Sequence, residues 1–418
     1  MKIIIEPAKQ LSVVYEKDIV IVGGGPGGLV AALASGRNGA DTLLIEKYGF
    51  LGGMATAGLM TCFNGFRNQR PPNKLQTVKG IPQEIVMKLA RLGGTTLDVP
   101  YEQEPRNLIE GDLPYAVGFD PEILKYVALK MLKEAGVGLM LHTYAVDSIV
   151  ENNVIKGVIV ENKSGRQAVL AKIIVDATGD GDMAAAAGAP FVKAEKTGGR
   201  MMGMSLMYRL ANVHPEKITR SQGIVIKNTI VKWGAGISGR DGVDFEDLTQ
   251  AEIEAREKTM AIVEDLKKKE LGFEDSYLLE TATNIGVRET RRFIGEYMVT
   301  EEDALKGARF DDVVAISSNP VPSYYGKRFF FDHEGFDVPY RSLVPKKIDN
   351  LLLAGRCVSA HQVPFQSLRS MAPLMAISQA AGTAAALCAK NNVTPRKLDV
   401  SKLQQILIKQ NAELRQKI

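Results

Sequence analysis

The sequence DIVIVGGGPGG, residues 18–28, reads as a buried strand that runs into a glycine-rich turn. Its glycines have the spacing G-x-G-x-x-G. Gly23 permits a tight turn, Gly25 lets the backbone approach a pyrophosphate, and Gly28 lets the next helix pack closely on the strand. A glycine-rich turn that serves packing alone is the alternative. The strand before it and the helix after it favour a dinucleotide-binding unit.

The helix after this turn begins with Pro26 and Gly27 and continues through small residues to about Gly39. Proline fits a first helical turn because the N–H groups there have no partner inside the helix. The same free N–H groups and the helix dipole attract phosphates. The second strand, residues 41–45, ends at Glu46, about 20 residues after the last glycine, where a carboxylate accepts hydrogen bonds from a ribose diol. We therefore predict a site for an ADP-containing dinucleotide.

The composition excludes several classes of protein. The chain has 418 residues, 45% of them hydrophobic and 24% charged, with a formal net charge of +4. This is typical of a soluble globular protein with two or three domains. No block of five or six like charges is present, so a nucleic-acid partner is not expected. We expect no membrane span, no signal peptide and a cytoplasmic location, and a homo-oligomer is compatible with the sequence.

The three cysteines, Cys62, Cys357 and Cys388, are widely spaced and form no C-x-x-C pair. Neither a disulfide framework, a zinc site nor an iron–sulfur cluster is therefore indicated. The acids of residues 176–182 lack the remaining oxygen ligands of a calcium loop, so we expect no metal there. Helix capping and backbone turns explain these acids better.

The middle of the first half contains a helix followed by short strands. Asp120 and Pro121 are typical of an N-cap and first helical position, and the helix should end near Gly136. The turns Glu151-Asn-Asn153 and Asn162-Lys-Ser-Gly165 then separate short apolar runs. We predict strands at 138–142, 145–150, 154–160 and 168–175.

Here the chain resembles the FAD-dependent oxidoreductases of the glutathione-reductase-like superfamily. In that superfamily the ribose-binding Glu-Lys continues into a second Gly-Gly, as Glu46-Lys47 continues here into Gly52-Gly53-Met54. The resemblance implies FAD rather than NAD. It also implies that the short strands form the β-meander of the FAD domain, and that Ala177-Thr-Gly179 is a second nucleotide-contacting loop.

Residues 191–340 differ from the rest, with a polar helix at 249–269, a strand at 202–210 and fewer glycines and alanines. The predicted fold class is α/β, a Rossmann-like FAD-binding domain of parallel sheet plus β-meander, interrupted by an inserted α+β substrate domain. The predicted division assigns 1–190 and 341–418 to the FAD domain and 191–340 to the substrate or cap domain, with 60–118 able to contribute to the substrate side.

Four segments together resemble the bacterial FAD-dependent oxidoreductase family over nearly the whole chain. They are residues 18–53, 176–182, 286–295 and 338–361. The resemblance implies the fold and the cofactor, whereas a shared fold does not define the substrate. From it we expect the cofactor at Gly23, Gly25, Pro26, Gly27, Gly28, Glu46, Lys47, Gly52, Gly53, Met54, Val146, Thr178, Gly179, Asp180, Gly355, Arg356, Pro373 and Leu374.

Two departures from better-known relatives are informative. Gly355 is followed by Arg356, where related flavoproteins have an aspartate that holds the ribityl chain. The stretch after Gly52-Gly53, which reads Gly58-Leu-Met-Thr-Cys-Phe63, lacks the histidine that anchors FAD covalently in fumarate-reductase-like flavoproteins. We therefore expect non-covalent FAD, with a thioether at Cys62 as the exception to test.

The loop between a late apolar strand and a small-residue helix, residues 353–369, contains the main catalytic candidates. The resemblance places it beside the flavin, with the helix that starts near Pro373 aimed at the flavin N1–C2=O edge, where the helix dipole stabilises negative charge. His361 is a candidate general base or acid, or only a brace of the loop. Arg369 and Arg356 are candidates to clamp a substrate carboxylate, or to pair with the FAD pyrophosphate or a structural acid.

The inserted region offers further substrate candidates. We predict a helix at 286–292 in which Glu289 and Arg292 pair at i and i+3, leaving Arg288 or Arg291 free to reach the cleft. Tyr340, Arg341 and His333 are the other candidates, and structural roles explain all of them equally well.

The leading hypothesis is an FAD-dependent dehydrogenase or reductase that moves a hydride between a small organic substrate and flavin N5, with an unidentified electron donor or acceptor. One alternative is a thiazole-synthase-like protein that binds NAD and donates sulfur from Cys62 or Cys357. Another is a non-enzymatic or tRNA-directed FAD-binding protein.

Overall fold

The structure, a computed structural model, describes residues 3–5, 7–97, 111–193, 202–218 and 223–415. Its described strands, in chain order, are β1 (Val13–Val22), β2 (Thr42–Ile45), β3 (Cys62–Asn64), β4 (Ala116–Gly118), β5 (Gly138–Met140), β6 (Tyr144–Glu151), β7 (Val154–Asn162), β8 (Gly165–Asp176), β9 (Phe191–Val192), β10 (Met204–Ala211), β11 (Ile224–Ile226), β12 (Thr229–Ile237), β13 (Tyr277–Thr281), β14 (Arg292–Phe293), β15 (Val313–Ser317), β16 (Val321–Tyr324), β17 (Lys327–Phe329), β18 (Phe336–Pro339) and β19 (Leu351–Leu353).

The described α-helices are α1 (Pro26–Arg37), α2 (Ile81–Arg91), α3 (Pro121–Glu134), α4 (Asp182–Ala186), α5 (Phe245–Lys269), α6 (Glu301–Lys306), α7 (Gln362–Leu368), α8 (Met371–Asn391) and α9 (Val400–Lys409). The predicted cap of α3 is present, because the Asp120 carboxylate accepts hydrogen bonds from the first backbone N–H groups of that helix. The inserted polar helix begins four residues earlier than the predicted position 249, at Phe245, because Asp244 caps it in the same way.

A seven-stranded sheet organises the site. Four strands lie parallel in the order β5-β2-β1-β8, and β19 pairs in parallel with the last residues of β8. Both β1 and β19 are in register with the end of β8, since Val22 and Leu353 both lie opposite Asp176. The carboxyl ends of β1, β2, β8 and β19 therefore meet at one edge of the sheet, where ligands bind in open α/β folds.

The predicted meander has three strands rather than four. Strands β6, β7 and β8 form it, with β8 shared by the meander and the parallel layer. The run at 138–142, predicted as the first strand of the meander, instead forms β5, which pairs in parallel with β2. A three-residue run has no alternation from which its partner can be read, so the pattern alone did not separate the two positions.

The inserted residues build a second sheet in the order β11-β12-β10-β13, and α5 packs on it through β10 and β12. Residues 286–292, predicted as a helix, are not helical. Gly286 exchanges both backbone hydrogen bonds with Ser205 beside β10, so this backbone is committed to a strand-like bridge. The prediction of an ion pair there holds, because Arg292 Nε lies 3.4 Å from Glu289 Oε1.

Helix α8 packs against α1 in the core of the sheet layer. By length and composition it would pass as a membrane span, with a mean hydropathy of 1.3 over 18 residues, contrary to the expectation that no run qualifies. However, 83% of that window is buried in the fold. Packing against the sheet and α1 accounts for its apolar sequence.

Candidate functional site

Four loops and the start of α8 meet at the carboxyl edge of the sheet. The turn after β1 contacts the turn after β2, because Gly52 N donates to Gly24 O at 2.8 Å. The end of β8 closes on the same turn, where a Cβ on Gly23 would lie 2.5 Å from Ala177 O. These contacts leave no room for side chains at the centre of the loop cluster.

The late loop and α8 join the same cluster. A Cβ on Gly27 would lie 3.0 Å from Ala354 O and 3.2 Å from a methyl group of Leu374 in the first turn of α8. Pro373 lies against Gly65. The structure thus brings together all the predicted cofactor segments that follow β1, β2, β8 and β19, together with the start of α8.

Gly25, unlike the neighbouring glycines, has free space where a side chain would lie. A Cβ built on Gly25 would meet only Gly53 Cα, at 3.9 Å, among the described residues. Its backbone is extended, with φ −67° and ψ −175°, which any residue adopts. The described chain therefore leaves space beside Gly25, and a pyrophosphate needs such space to approach the backbone of the turn.

Helices α1 and α8 begin in this cluster without side-chain caps and without acids in their first turns. Helices α3, α5 and α9 each have an aspartate cap, and Ile81 N of α2 donates to Gln379 Oε1. The uncapped N–H groups and the dipoles of α1 and α8 therefore favour negative charge at one place. This fits a cofactor with a pyrophosphate and a flavin that gains negative charge.

Glu46 is held in place by backbone donors. Gly24 N donates to Oε2 at 2.6 Å and Tyr48 N to Oε1 at 2.9 Å, and the residue is 5% exposed. Each carboxylate oxygen keeps a further lone pair, which a ribose hydroxyl would use. The adjacent Lys47 ammonium lies over the Tyr48 ring, 5.1 Å from its centroid. Burial and the charge of Asp180 raise the pKa of Asp182, and Arg291 and Lys47 oppose this rise.

The Ala-Thr-Gly loop after β8 is organised by a buried aspartate. Asp176 accepts hydrogen bonds from Thr178 N, Thr178 Oγ1 and Ala184 N. Burial raises its pKa to about 6, more than these hydrogen bonds lower it. Asp176 therefore sets the shape of the loop that carries Thr178, Gly179 and Asp180.

This raised pKa predicts a pH effect on stability. Because the folded state holds the Asp176 proton more tightly than the unfolded state, its stabilising contribution is present below about pH 4 and is lost as the pH rises through about 6. The contribution is up to about 3 kcal/mol. We expect wild-type protein to lose more stability than Asp176→Asn between pH 4.5 and 7 in chemical denaturation. Equal changes in the two proteins would contradict this assignment.

Asp180 binds cations and donors from two other segments. Arg356 Nη2 lies 2.5 Å from Asp180 Oδ1, and Thr290 Oγ1 donates to the same oxygen at 2.7 Å. Arg291 pairs with Asp182 and also donates to Asp180 O. The sequence leaves pairing with a structural acid as one alternative for Arg356. The structure shows this pairing, and the acid is Asp180.

Arg288 and Arg369 have no carboxylate partner among the described residues. Arg288 donates to Gly203 O and Ser205 Oγ, and burial lowers its pKa. Arg369 Nε is enclosed and has no hydrogen-bond partner. Burial lowers the pKa of Arg369, and the charges of Arg288 and Arg356 lower it further. These two guanidinium groups are the unpaired cations of the site.

His361 is the N-cap residue of α7, and its backbone N donates to Val299 O at 2.8 Å. Its side chain is exposed and has no hydrogen-bond partner within the described part of the chain. The backbone, rather than the imidazole, braces the loop. The ring nitrogens are free for another role.

The remaining substrate candidates have structural partners. Tyr340 is 3% exposed and its hydroxyl donates to Pro395 O. Arg341 pairs with Asp312. His333 Nδ1 accepts from Gly335 N. The side chains of these three residues are therefore engaged in structural contacts.

The other two predicted cofactor positions lie beside the cluster. Met54 packs its methyl group near Gly58 and Gly286, which connects the second glycine turn to the inserted region. Val146 is 39% exposed on β6, the strand that packs against α4.

All three thiols are buried. Burial raises the pKa of Cys62 to about 12, and its Sγ donates to Asn64 Oδ1 at 3.0 Å. Burial also raises the pKa of Cys357 well above its usual value. Neither thiol is activated as a nucleophile, which counts against a thioether at Cys62 and against sulfur donation.

Sequence reasoning missed Thr290 and the roles of Arg292 and Asp176. Thr290 connects Asp180 to Arg356, and Arg292 Nη1 donates to Ala360 O in the late loop. These partners are separated by 66 to 110 residues along the chain. No local pattern marks such contacts.

Comparison with known proteins agrees with this geometry. A model of the FAD dependent oxidoreductase family matches residues 18–228 and 216–407. Digeranylgeranylglycerophospholipid reductase 1 of Methanococcoides burtonii is 26% identical over 166 residues, which are 39% of this chain and 37% of that protein. The same reductase of Methanocella arvoryzae is 30% identical over 174 residues, 39% of each protein. These matches thus span about two fifths of the relatives' own lengths.

Solved structures share the fold. A geranylgeranyl bacteriochlorophyll reductase-like protein of Thermoplasma acidophilum superimposes with a TM-score of 0.52 at 14% identity, covering 94% of this chain and 84% of that one. The myxobacterial chondrochloren halogenase gives a TM-score of 0.51 at 14% identity, covering 94% and 78%. At this identity the likeness extends to the fold and not to the reaction.

Proposed function

This chain belongs to the FAD dependent oxidoreductase family, and from that premise we propose that it moves a hydride between a small organic substrate and flavin N5. The observation that carries the proposal is the meeting of two uncapped helix N-termini, α1 and α8, at the glycine turns, through the contact of Gly27 with Leu374. When bound, FAD supplies a two-electron acceptor or donor.

The residues of this chain have separate roles in the proposal. Gly25 and the first turn of α1 bind the pyrophosphate, and Glu46 orients the ribose. The first turn of α8 stabilises negative charge at the flavin edge. His361 takes a proton from the substrate, or returns one, because its imidazole is exposed and unpaired.

A dehydrogenase or reductase is favoured over a monooxygenase or halogenase on chemical grounds. The late loop offers a proton acceptor and unpaired cations, which suit removal of a proton and hydride from one bound molecule. The direct test is anaerobic mixing of FAD-loaded protein with candidate substrates, followed by the visible absorbance of the flavin. Bleaching without oxygen or nicotinamide supports the proposal. A monooxygenase would be favoured if the flavin were reduced only by a nicotinamide and product were formed only in the presence of oxygen.

Replacement of His361 tests its role. We expect His361→Ala to slow flavin reduction by substrate about 100- to 10,000-fold and to leave FAD affinity unchanged, because general-base catalysis contributes this much. His214→Ala is the matched control, since His214 pairs with Asp275 on the inserted region. Reduction rates that are equal in wild type and His361→Ala would remove His361 from the chemistry.

A further inference from the structure

The five arginines around the late loop divide into paired and unpaired groups. Arg291 pairs with Asp182, Arg356 with Asp180 and Arg292 with Glu289. Arg288 and Arg369 have no acidic partner among the residues that the structure describes. Within the described residues, the cluster therefore holds two arginines whose charges no ion pair balances, although the charge of Glu289 also acts on Arg369.

Arg369 is the less satisfied of the two. It is the C-cap residue of α7 and directly precedes Ser370, the N-cap residue of α8. Its side chain is only partly exposed, its Nε is enclosed, and no hydrogen bond of its guanidinium is formed within the described chain. An enclosed donor without a partner is costly, so native proteins keep one chiefly where another molecule binds.

The Arg288 side chain is held by two hydrogen bonds, but no acidic partner neutralises its charge within the described residues. Gly203 O accepts from its Nη1 at 2.5 Å and Ser205 Oγ from its Nη2 at 2.8 Å. Both partners are neutral. The pKa of Arg369 is lowered mainly by its burial and further by the nearby charges of Arg288 and Arg356, while the charge of Glu289 opposes this lowering. Two like charges that approach in a partly enclosed site repel each other, and an anion between them removes this cost.

We propose that Arg369 and Arg288 form a subsite for a carboxylate of the substrate, which makes the substrate a small organic acid. The inference rests on the proposed oxidoreductase function and specifies its substrate class. The two Nη groups of Arg369 have no hydrogen-bond partner in the described chain, and such a pair of donors matches the two oxygens of one carboxylate. Arg288 has two donors already engaged and adds charge from the side.

The position of the subsite fits the chemistry. Arg369 ends the same short helix that His361 begins, and the next helix, α8, points its N-terminus into the loop cluster. A carboxylate held by Arg369 would therefore lie near the N-terminus of α8. The two cations would also stabilise the negative charge that develops on the substrate when a carbon atom of the acid loses a proton.

The test is calorimetric binding of acetate, succinate and benzoate to FAD-loaded protein at constant ionic strength, with benzamide as the neutral match for benzoate and inorganic phosphate as the rival oxyanion. We expect at least one carboxylate to bind and to perturb the flavin spectrum, and benzamide not to bind. Arg369→Met and Arg288→Met should each weaken that binding about 10- to 100-fold, since each removes charge-assisted hydrogen bonds. Arg369→Lys should recover part of it.

Arg341→Met is the matched control, because the Arg341 side chain already pairs with Asp312. Its carboxylate affinity should equal that of wild type. The flavin spectrum of each variant verifies that the fold and cofactor site are retained. A protein that cannot be loaded with FAD would overturn the proposed function itself, before the subsite is tested.

Three results with loaded protein would overturn the subsite alone. The first is that none of the three carboxylates binds. The second is that carboxylates bind equally well to Arg369→Met and Arg288→Met. The third is tighter binding of inorganic phosphate than of every carboxylate. A shift of the flavin midpoint potential in Arg369→Met, without carboxylate binding to wild type, would mean that Arg369 serves the flavin rather than the substrate.

Discussion

Replacement of Gly25 by alanine is expected to weaken FAD binding about 100-fold or more while the protein remains folded. The turn presents backbone N–H groups to the pyrophosphate, and a methyl group on Gly25 would occupy the space through which the phosphates approach. Loss of two charge-assisted hydrogen bonds accounts for an effect of this size.

The fold should tolerate the same change. The added methyl group meets only Gly53 Cα, at 3.9 Å, and the backbone of Gly25 suits any residue. The free energy of unfolding of the FAD-free protein should therefore change by less than about 1 kcal/mol. Gly236→Ala is the control, because a Cβ there has nothing within 4 Å, and it should leave both properties unchanged. Wild-type FAD affinity in Gly25→Ala would contradict the placement of the pyrophosphate.

The second large effect is expected at Gly382, where α8 crosses α1. Helix propensity alone predicts that alanine stabilises an interior helical position by about 1 kcal/mol. However, a Cβ on Gly382 would lie 2.7 Å from Ala31 C and 2.8 Å from Ala31 Cα, and would collide with Ala31 O. Backbone atoms on the partner helix cannot rotate away as a side chain does, so the collision should outweigh the propensity.

We therefore expect Gly382→Ala to lower the free energy of unfolding of the FAD-free protein by about 1–3 kcal/mol in chemical denaturation. FAD affinity should fall as well, because the N-termini of α1 and α8 frame the cofactor site and depend on this crossing. Gly236→Ala is again the control. A Gly382→Ala protein as stable as wild type would show that the two helices separate at little cost.

The sequence predicted the elements whose signals are local. Strand β1, the glycine turn, α1 and Glu46 follow from residue types at fixed spacing, and the Asp120 cap defines the start of α3. Predictions failed where a residue distant in sequence determines the local conformation. Residues 286–292 looked helical from one i,i+3 charge pair, but Gly286 bonds Ser205, which is 81 positions away in sequence, and this bridge excludes a helix.

The candidate site shows the same division. The loops at the carboxyl edge were predictable because parallel strands place their ends together. The partners of the arginines were not. Arg356 and Asp180 are 176 residues apart, and nothing near either residue indicates that they pair while Arg369 does not. Only the folded chain separates the paired from the unpaired cations.

The central claim is that the loops at this edge hold FAD without a covalent bond. The most direct measurement is the visible absorbance spectrum of the purified protein, followed by heat precipitation and a spectrum and mass of what is released. We predict a flavin spectrum that moves wholly into the supernatant with the mass of FAD, because the thiol of Cys62 is buried and not activated. Flavin that stays with the precipitate, or a colourless protein that releases another adenine nucleotide, would contradict it.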